Sequence, residues 1–187
     1  MQSIVVHASM SGHTETLANA IAQGAHVAGA QVAMLSADQC GPDHLASADA
    51  IFWGTSSYFG GPNPKMVHLF ERLGGVWMAG GLQGKVGGVF ATTSTMHGGL
   101  ETVLHTLIDA MMHHGMIIVP NTGAFTPERI RFGCPYGAAA VVETAFDMEM
   151  AMGQPTPGEM QLAYEYGQCV VSVASRLRSA QPPYMAR

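Results

Sequence analysis

A chain of 187 residues with a net charge of −5, charged residues at only 11% and 23 glycines is long enough for one domain with a substantial core. No basic run occurs in it, which argues against nucleic acid as a partner. No stretch nears the ~18 apolar residues of a membrane span, and the first apolar run is too short for a signal peptide, so a cytoplasmic protein with no membrane partner is expected.

The first predicted strand covers residues 3–7, around Ile4-Val5-Val6. Ser9-Met10-Ser11-Gly12-His13-Thr14-Glu15-Thr16 then turns into a helix over 14–28, read from Leu17, Ile21 and Ala25. A strand that turns through hydroxyl residues and a glycine into a helix is a place to hold a phosphate. The first N–H groups of the helix lack intrahelical partners, and its dipole favours an anion. No Lys or Arg precedes Lys65, so backbone donors and the hydroxyls of Ser9, Ser11, Thr14 and Thr16 would do the binding. That suits a cofactor phosphate better than a nucleoside triphosphate carrying magnesium.

Further strands are predicted over 31–35, 50–54, 86–92 and 116–119, and a short crossover near 42–47. Helices are predicted over 64–73, 100–114 and 158–177. The helix over 100–114 carries Val103, Leu104, Leu107, Ile108, Met111 and Met112 on one stripe, and the last carries Leu162, Tyr166, Cys169, Val170, Val173 and Leu177, as helices packed on a sheet do. The strands are continuously apolar, which implies burial on both faces in a parallel sheet. The fold class expected is α/β: a doubly wound, five-stranded parallel sheet of order 2-1-3-4-5 with helices on both faces. One domain spans 1–178, and 179–187 form a flexible tail. In such a sheet the ligand sits outside the carboxyl ends of the strands, at the switch between strands 1 and 3. The loops 9–14, 55–63 and 93–99 then converge on one crevice. Residues 120–157 carry five prolines and resist assignment to an element. Long segments of this kind are usually functional covers, and this one reads as a cover over the crevice or a subunit contact.

The motifs SMSGHTETLA at 9–18, GTSSYFGG at 54–61 and LGGVWMAGGLQGKVGGVFATTSTMHGGLET at 73–102, followed by MMHHGMIIVP at 111–120 and GCPYGA at 133–138, occur in an order that resembles the WrbA-like family of flavodoxin-fold NAD(P)H:quinone oxidoreductases. The resemblance implies a flavodoxin-like domain binding FMN without a covalent link. It places the phosphate on Ser9, Met10, Ser11, Gly12, His13 and Thr14. The ring would lie against Ser56, Ser57, Tyr58 and Phe59, and against Thr92, Thr93, Ser94, Thr95, Met96, His97 and Gly98. It implies that Trp77 and His114 line the pocket over the exposed flavin face, partly from a neighbouring subunit of a homotetramer. NADH or NADPH would be the co-substrate, and a quinone or other flat aromatic acceptor the oxidant, in a two-electron ping-pong reaction. Flavin chemistry asks the protein for orientation and electrostatics. Backbone N–H groups at 92–98, an aromatic wall at Trp77 or Tyr58, and His97 or His114 as a proton donor would supply these.

This chain departs from the family pattern in four places. Residues 36–49 are short where the family carries an insertion. Ser56-Ser57-Tyr58-Phe59 stands for Pro-Thr-Arg-Phe, which removes a fixed positive charge beside the flavin. Ser11 replaces a common Tyr, and residues 144–153 read TAFDMEMAMG in place of a polar, Gly-rich stretch.

Several residues also have plainer roles. Hydroxyls at 9–14 could instead be ordinary helix caps, a reading the strand–loop–helix context disfavours, and His13 is expected to present its backbone rather than its imidazole. His7 in a buried strand reads as a core histidine. His113 and His114 suit a helix end, where a cation favours the dipole, and they point in different directions, a poor metal pair. Trp77 could be an interface anchor, and Met148, Met150 and Met152 a pliable substrate wall. Cys40, Cys134 and Cys169 form no C-x-x-C pair, so neither a disulfide framework nor a metal is expected, and Cys134 reads as inert. Walker A, GxGxxG, GxSxG and HExxH patterns are all missing from the sequence. The same FMN site also suits a flavodoxin-like electron carrier or a flavin or nitroaromatic reductase. A carrier would expose an acidic docking face, and 13 Asp+Glu spread along the chain do not make one.

Overall fold

The computed structural model describes residues 1–142 and 153–180. Met148, Met150 and Met152, with all but the last residue of the 144–153 stretch, lie outside the described residues, as do residues 181–187 of the expected tail. Strand β1 (Gln2–Ala8) leads into helix α1 (His13–Val27), then β2 (Gln31–Ser36), the short α2 (Pro42–Ala46) and β3 (Ala50–Tyr58). After them come β4 (Gly61–Pro62), α3 (Pro64–Arg72), α4 (Gly74–Met78), β5 (Val86–Thr93) and α5 (Leu100–His113). The chain continues through β6 (Ile117–Ile118), α6 (Pro127–Phe132), β7 (Ala138–Val141) and α7 (Pro157–Ala180). The sheet order is β2-β1-β3-β5-β6, the 2-1-3-4-5 order of the main parallel strands expected from the sequence.

Each strand sends alternate side chains to opposite faces, so two cores form. Val5, Phe52 and Phe90 pack with Leu17 and Ile21 of α1 and with Tyr166 and Val170 of α7. Ile4, Val6, Ile51, Trp53 and Val89 pack on the other side with Met66 and Leu69 of α3 and Val103, Leu107 and Met111 of α5. Helices α1 and α7 approach through glycines. A Cβ on Gly24 would stand 1.9 Å from the Tyr164 carbonyl oxygen, and one on Gly167 would stand 2.2 Å from that of Ile21.

The structure revises the reading of 120–157 in one respect. The fifth strand is split: β6 pairs Ile117 and Ile118 with Val86 and Gly87, and β7 pairs Ala138–Val141 with Phe90–Thr93. Between the halves the chain loops out through α6 and returns, so residues 138–141 are sheet and not cover. Pattern reading missed them because Ala138-Ala139-Ala140 is a weak strand former behind a Gly/Pro-rich stretch. The loop is closed at its base by Asn121, whose N–H donates to the Pro135 carbonyl (3.0 Å) and whose Nδ2 donates to that of Gly137 (3.0 Å). Arg129 anchors α6 to Glu165 of α7 at 2.9 Å.

At the break, the Tyr166 hydroxyl replaces the missing ladder bonds. It accepts from Val89 N–H at 3.2 Å and donates to the Val119 carbonyl at 2.7 Å. Buried backbone groups need partners, and burial pushes this phenol well above its ordinary pKa. Tyr166→Phe therefore leaves one donor and one acceptor unpaired, and should lower unfolding free energy in urea by about 1–3 kcal/mol; an unchanged urea midpoint would contradict the bridging role.

Candidate active site

Parallel pairing sets Ala8 beside Thr55 and Ser56 beside Thr92, so β1, β3 and β5 stop at one edge and their loops meet. Two helices also start there. Helix α1 begins at Gly12 (φ 90) and α5 at Gly99 (φ 81), and neither has a side-chain cap. Their first N–H groups and the positive ends of their dipoles are left for a ligand. Gly12 N–H itself is taken by Ser9 Oγ at 3.0 Å, and Thr16 Oγ1 reaches the Gly12 carbonyl at 3.2 Å, which shapes the loop around the open amides. An anionic phosphate fits this loop: it offers backbone donors, small hydroxyls and no competing carboxylate cap.

The structure brings the residues expected at the crevice together, but gives several of their hydroxyls internal work. Thr14 and Thr92 share a buried hydroxyl–hydroxyl bond of 2.8 Å across the crevice floor. Ser57 Oγ donates to the Gly98 carbonyl at 2.6 Å, and Ser56 Oγ accepts from Asn63 Nδ2 at 3.3 Å. Tyr58 OH contacts Met10 Sδ, joining the first loop to the second. Thr93 is buried, while Ser94, Thr95, Met96 and His97 stand exposed. A Cβ on Gly99 would meet Gly60 Cα at 2.6 Å, so the β3–β4 turn and the 94–99 loop touch backbone to backbone. His13 is buried with Nδ1 3.2 Å from Ser11 Oγ, and its Nε2 has no partner among the described residues. Its imidazole faces inward while its amide belongs to the open helix start.

Phe59 is the conformational outlier. It has φ 48 and its side chain is fully exposed, at 106%. With Gly60 (φ 84) it forms the two-residue link between β3 and β4, where both central residues need positive φ. A bulky residue there costs of order 1–3 kcal/mol.

Trp77 and His114 lie elsewhere in the same chain. Trp77 Nε1 donates to the His113 carbonyl at 2.9 Å, and the His114 ring stands edge-on to Trp53 at 6.0 Å. Both belong to the far end of α5, 14 residues or about 21 Å from the crevice. Asn63 is a site residue the sequence reading passed over. It is buried, caps α3 through Lys65 N–H at 3.0 Å, and donates its own N–H to Thr55 Oγ1 at 2.9 Å. Its signal was present as Asn-Pro before a helical run.

Residues 1–128 match the family described as NADPH-dependent FMN reductase. The chain belongs to that family. Full-length relatives include an NAD(P)H dehydrogenase (quinone) of Rhodopseudomonas palustris (strain BisA53), 36% identical over 93% of this chain and 97% of its own length. Another is the NAD(P)H dehydrogenase (quinone) of Geotalea daltonii, 35% identical over 97% of this chain and 100% of its own. Among solved structures, the flavodoxin, WrbA-like protein from Agrobacterium tumefaciens superposes with a TM-score of 0.72 at 24% identity, covering 94% of this chain and 98% of that one. Oxidised Flavodoxin 1 from Bacillus cereus gives 0.67 at 17%, covering 92% and 98%. These structures share the fold of the reductase family member described here.

No described helix is long and apolar enough to cross a membrane, and no metal-ligating cluster occurs among the described residues. Cys134 is buried, and burial pushes its thiol up; the Cys40 thiol is pushed up to about 11. Ser9→Ala removes the bond that holds the Gly12 amide and loosens the loop, so FMN affinity, read by fluorescence quenching, should fall by up to about tenfold, the upper end for one neutral hydrogen bond. Burial pulls the pKa of His7 and of His114 below 6.5, the latter helped by His113. Below pH 6.5 the unfolded chain takes up these protons before the folded one, so stability rises with pH across that range. The melting temperature should fall between pH 7.5 and 5.5, less so in His114→Asn; a flat wild-type profile would contradict the burial.

Proposed function

We propose that this chain is an FMN-dependent oxidoreductase that transfers two electrons from NAD(P)H to a quinone. The observation that carries the reading is the pair of uncapped helix starts, α1 and α5, opening on one crevice between hydrogen-bonded loops. Membership of the reductase family and the two full-length relatives support the classes of donor and acceptor. FMN would be held by its phosphate on residues 9–14 and by its ring between 56–59 and 92–98. When bound, it supplies the hydride-accepting chemistry.

The chain's own residues orient, shield and protonate. The Thr14–Thr92, Ser56–Asn63 and Ser57–Gly98 bonds hold the crevice rigid, so its donors need little reorganisation when charge develops. Open amides at the start of α5 favour negative charge on the ring side. Met10, Phe59 and Met96, exposed at 75%, 106% and 73%, form an apolar rim suited to a flat aromatic acceptor. His97, exposed in the same loop, would give a proton to the acceptor oxygen. Donor and acceptor use this one rim in turn, which makes the kinetics ping-pong.

Trp77, Met78 and Met112 are exposed at 55%, 83% and 61% at the opposite end of α5. An oligomer of this chain would bury them and bring Trp77 and His114 of one copy to the crevice of another. Anaerobic stopped-flow mixing of the FMN-loaded protein tests the reading. NADH or NADPH should bleach the flavin, and benzoquinone should then restore its colour. Failure of both donors, with dithionite still effective, would sink it. His97→Gln should slow the quinone step about a hundredfold, the lower end for a general acid, and spare flavin reduction; equal loss in both steps would make His97 a binding residue.

A further inference from the structure

We infer that Arg131, in a cavity alongside the crevice, binds a phosphate of the nicotinamide dinucleotide; this rests on the reading of the protein as an NAD(P)H-dependent enzyme. The cavity measures about 590 Å³ and lies between the start of α5, helix α6, strand β7 and the start of α7. Met96, Glu101, Arg131, Phe132 and Cys134 contribute to its wall. Met96 belongs to the 94–99 loop, so the cavity shares a wall with the crevice proposed for the flavin. Its volume is in the range of pockets that take ligands the size of a nucleotide.

The argument for a phosphate comes from where the cations are spent. Lys65 pairs with Asp38 at 2.7 Å, Arg129 with Glu165 at 2.9 Å and Arg178 with Asp49 at 3.3 Å. Arg72 donates to the Ala37 carbonyl at 2.6 Å, and Lys85 to that of Ala46 at 2.8 Å. Arg131 and Arg176 have no such acceptor among the described residues. Arg176 sits two residues from Arg178, whose partner Asp49 precedes the first residue of β3, so it belongs to the edge opposite the crevice. Arg131 is therefore the one uncommitted cation at the crevice edge among the described residues. Its guanidinium rests 5.1 Å from the centre of the Phe132 ring, a contact that holds the plane and leaves its N–H groups able to reach a phosphate in a bidentate manner.

Charge favours this placement. The protein has a net charge of −5, and no Lys or Arg lies in the phosphate loop. A dinucleotide brings at least two negative charges on its pyrophosphate, and NADPH adds a 2′-phosphate. Two carboxylates share the cavity. Glu159 is occupied, accepting from Val141 N–H, Thr156 N–H and Thr156 Oγ1 at 2.7–2.8 Å. Glu101 has no such engagement among the described residues and opposes an anion. The two substitutions in one cavity must then act in opposite directions.

The experiment uses the full, FMN-loaded chain. Calorimetric titration with NADP⁺ and NAD⁺ measures binding without turnover, and stopped-flow reduction by NADPH and NADH runs beside it. In R131Q the dissociation constants should rise about tenfold or more. In R131K part of the affinity should return, and in E101Q it should improve severalfold. FMN affinity and reduction by dithionite should match wild type in all three. Weakening of NADP⁺ alone assigns Arg131 to the 2′-phosphate, and equal weakening of both assigns it to the pyrophosphate; either supports the site. Unchanged affinity for both in R131Q, with wild type still reduced by a dinucleotide, overturns the Arg131 assignment and leaves the reductase reading standing. Wild type reduced by neither dinucleotide overturns that reading, and this inference with it.

Discussion

Parallel pairing of Ala8 with Thr55 and of Ser56 with Thr92 ends three strands at one edge, and the chemistry of the molecule depends on that register. Each strand that stops there hands its chain to a loop, and two of those loops become helices at a left-handed glycine, Gly12 and Gly99. Neither helix is capped by a side chain, so backbone amides and helix dipoles are concentrated where no lysine or arginine is near in sequence. A shift of one residue in register would reverse the faces of every core side chain on the strand. The two cores, built around Leu17 and Tyr166 on one face and Trp53 and Leu107 on the other, therefore hold the site in place from a distance.

The hydroxyl residues around the crevice divide the work in a way their chemistry alone does not announce. Ser9 bonds the Gly12 amide and shapes the loop before α1, while Ser56, Ser57, Thr14 and Thr92 bond one another, Asn63 or the Gly98 carbonyl. A rigid frame of this kind leaves the apolar side chains Met10, Phe59 and Met96 to face outward. The strained backbone of Phe59 is the cost of presenting an aromatic ring from a two-residue turn.

The split fifth strand sets the other boundary of the functional edge. Tyr166 fills the gap in the ladder, and Glu159 ties the end of β7 to the first turn of α7 through Val141 and Thr156. The loop between the halves carries α6 outward, and with it Arg131 and Phe132. A largely apolar cavity carrying one arginine thus forms beside a crevice otherwise built without cations.

Much of this was legible in the residues themselves. Continuous runs such as Ile4-Val5-Val6 and the stripe from Val103 to Met111 specify buried strands and a packed helix, because their periods match one geometry. Ser9 to Thr14 pointed to a strand–loop–helix start with open amides because strand, hydroxyls, glycine and helix are all local. What local pattern cannot carry is the partner of each group. Asn63 reaching Ser56, Ser57 reaching Gly98, and Ala138 to Val141 completing a strand begun at Ile117 are contacts between segments distant in sequence. The same limit separates Trp77 and His114 from the crevice within one chain, since helix α5 spans the sheet from one edge to the other. Sequence determined which elements form and where a helix start is left uncapped, because those depend on periodicity and on unpaired amides within a few residues. Only the tertiary structure decided which hydroxyls are free, where the cations are spent and what stands beside the crevice, because those depend on which distant backbone groups each side chain meets.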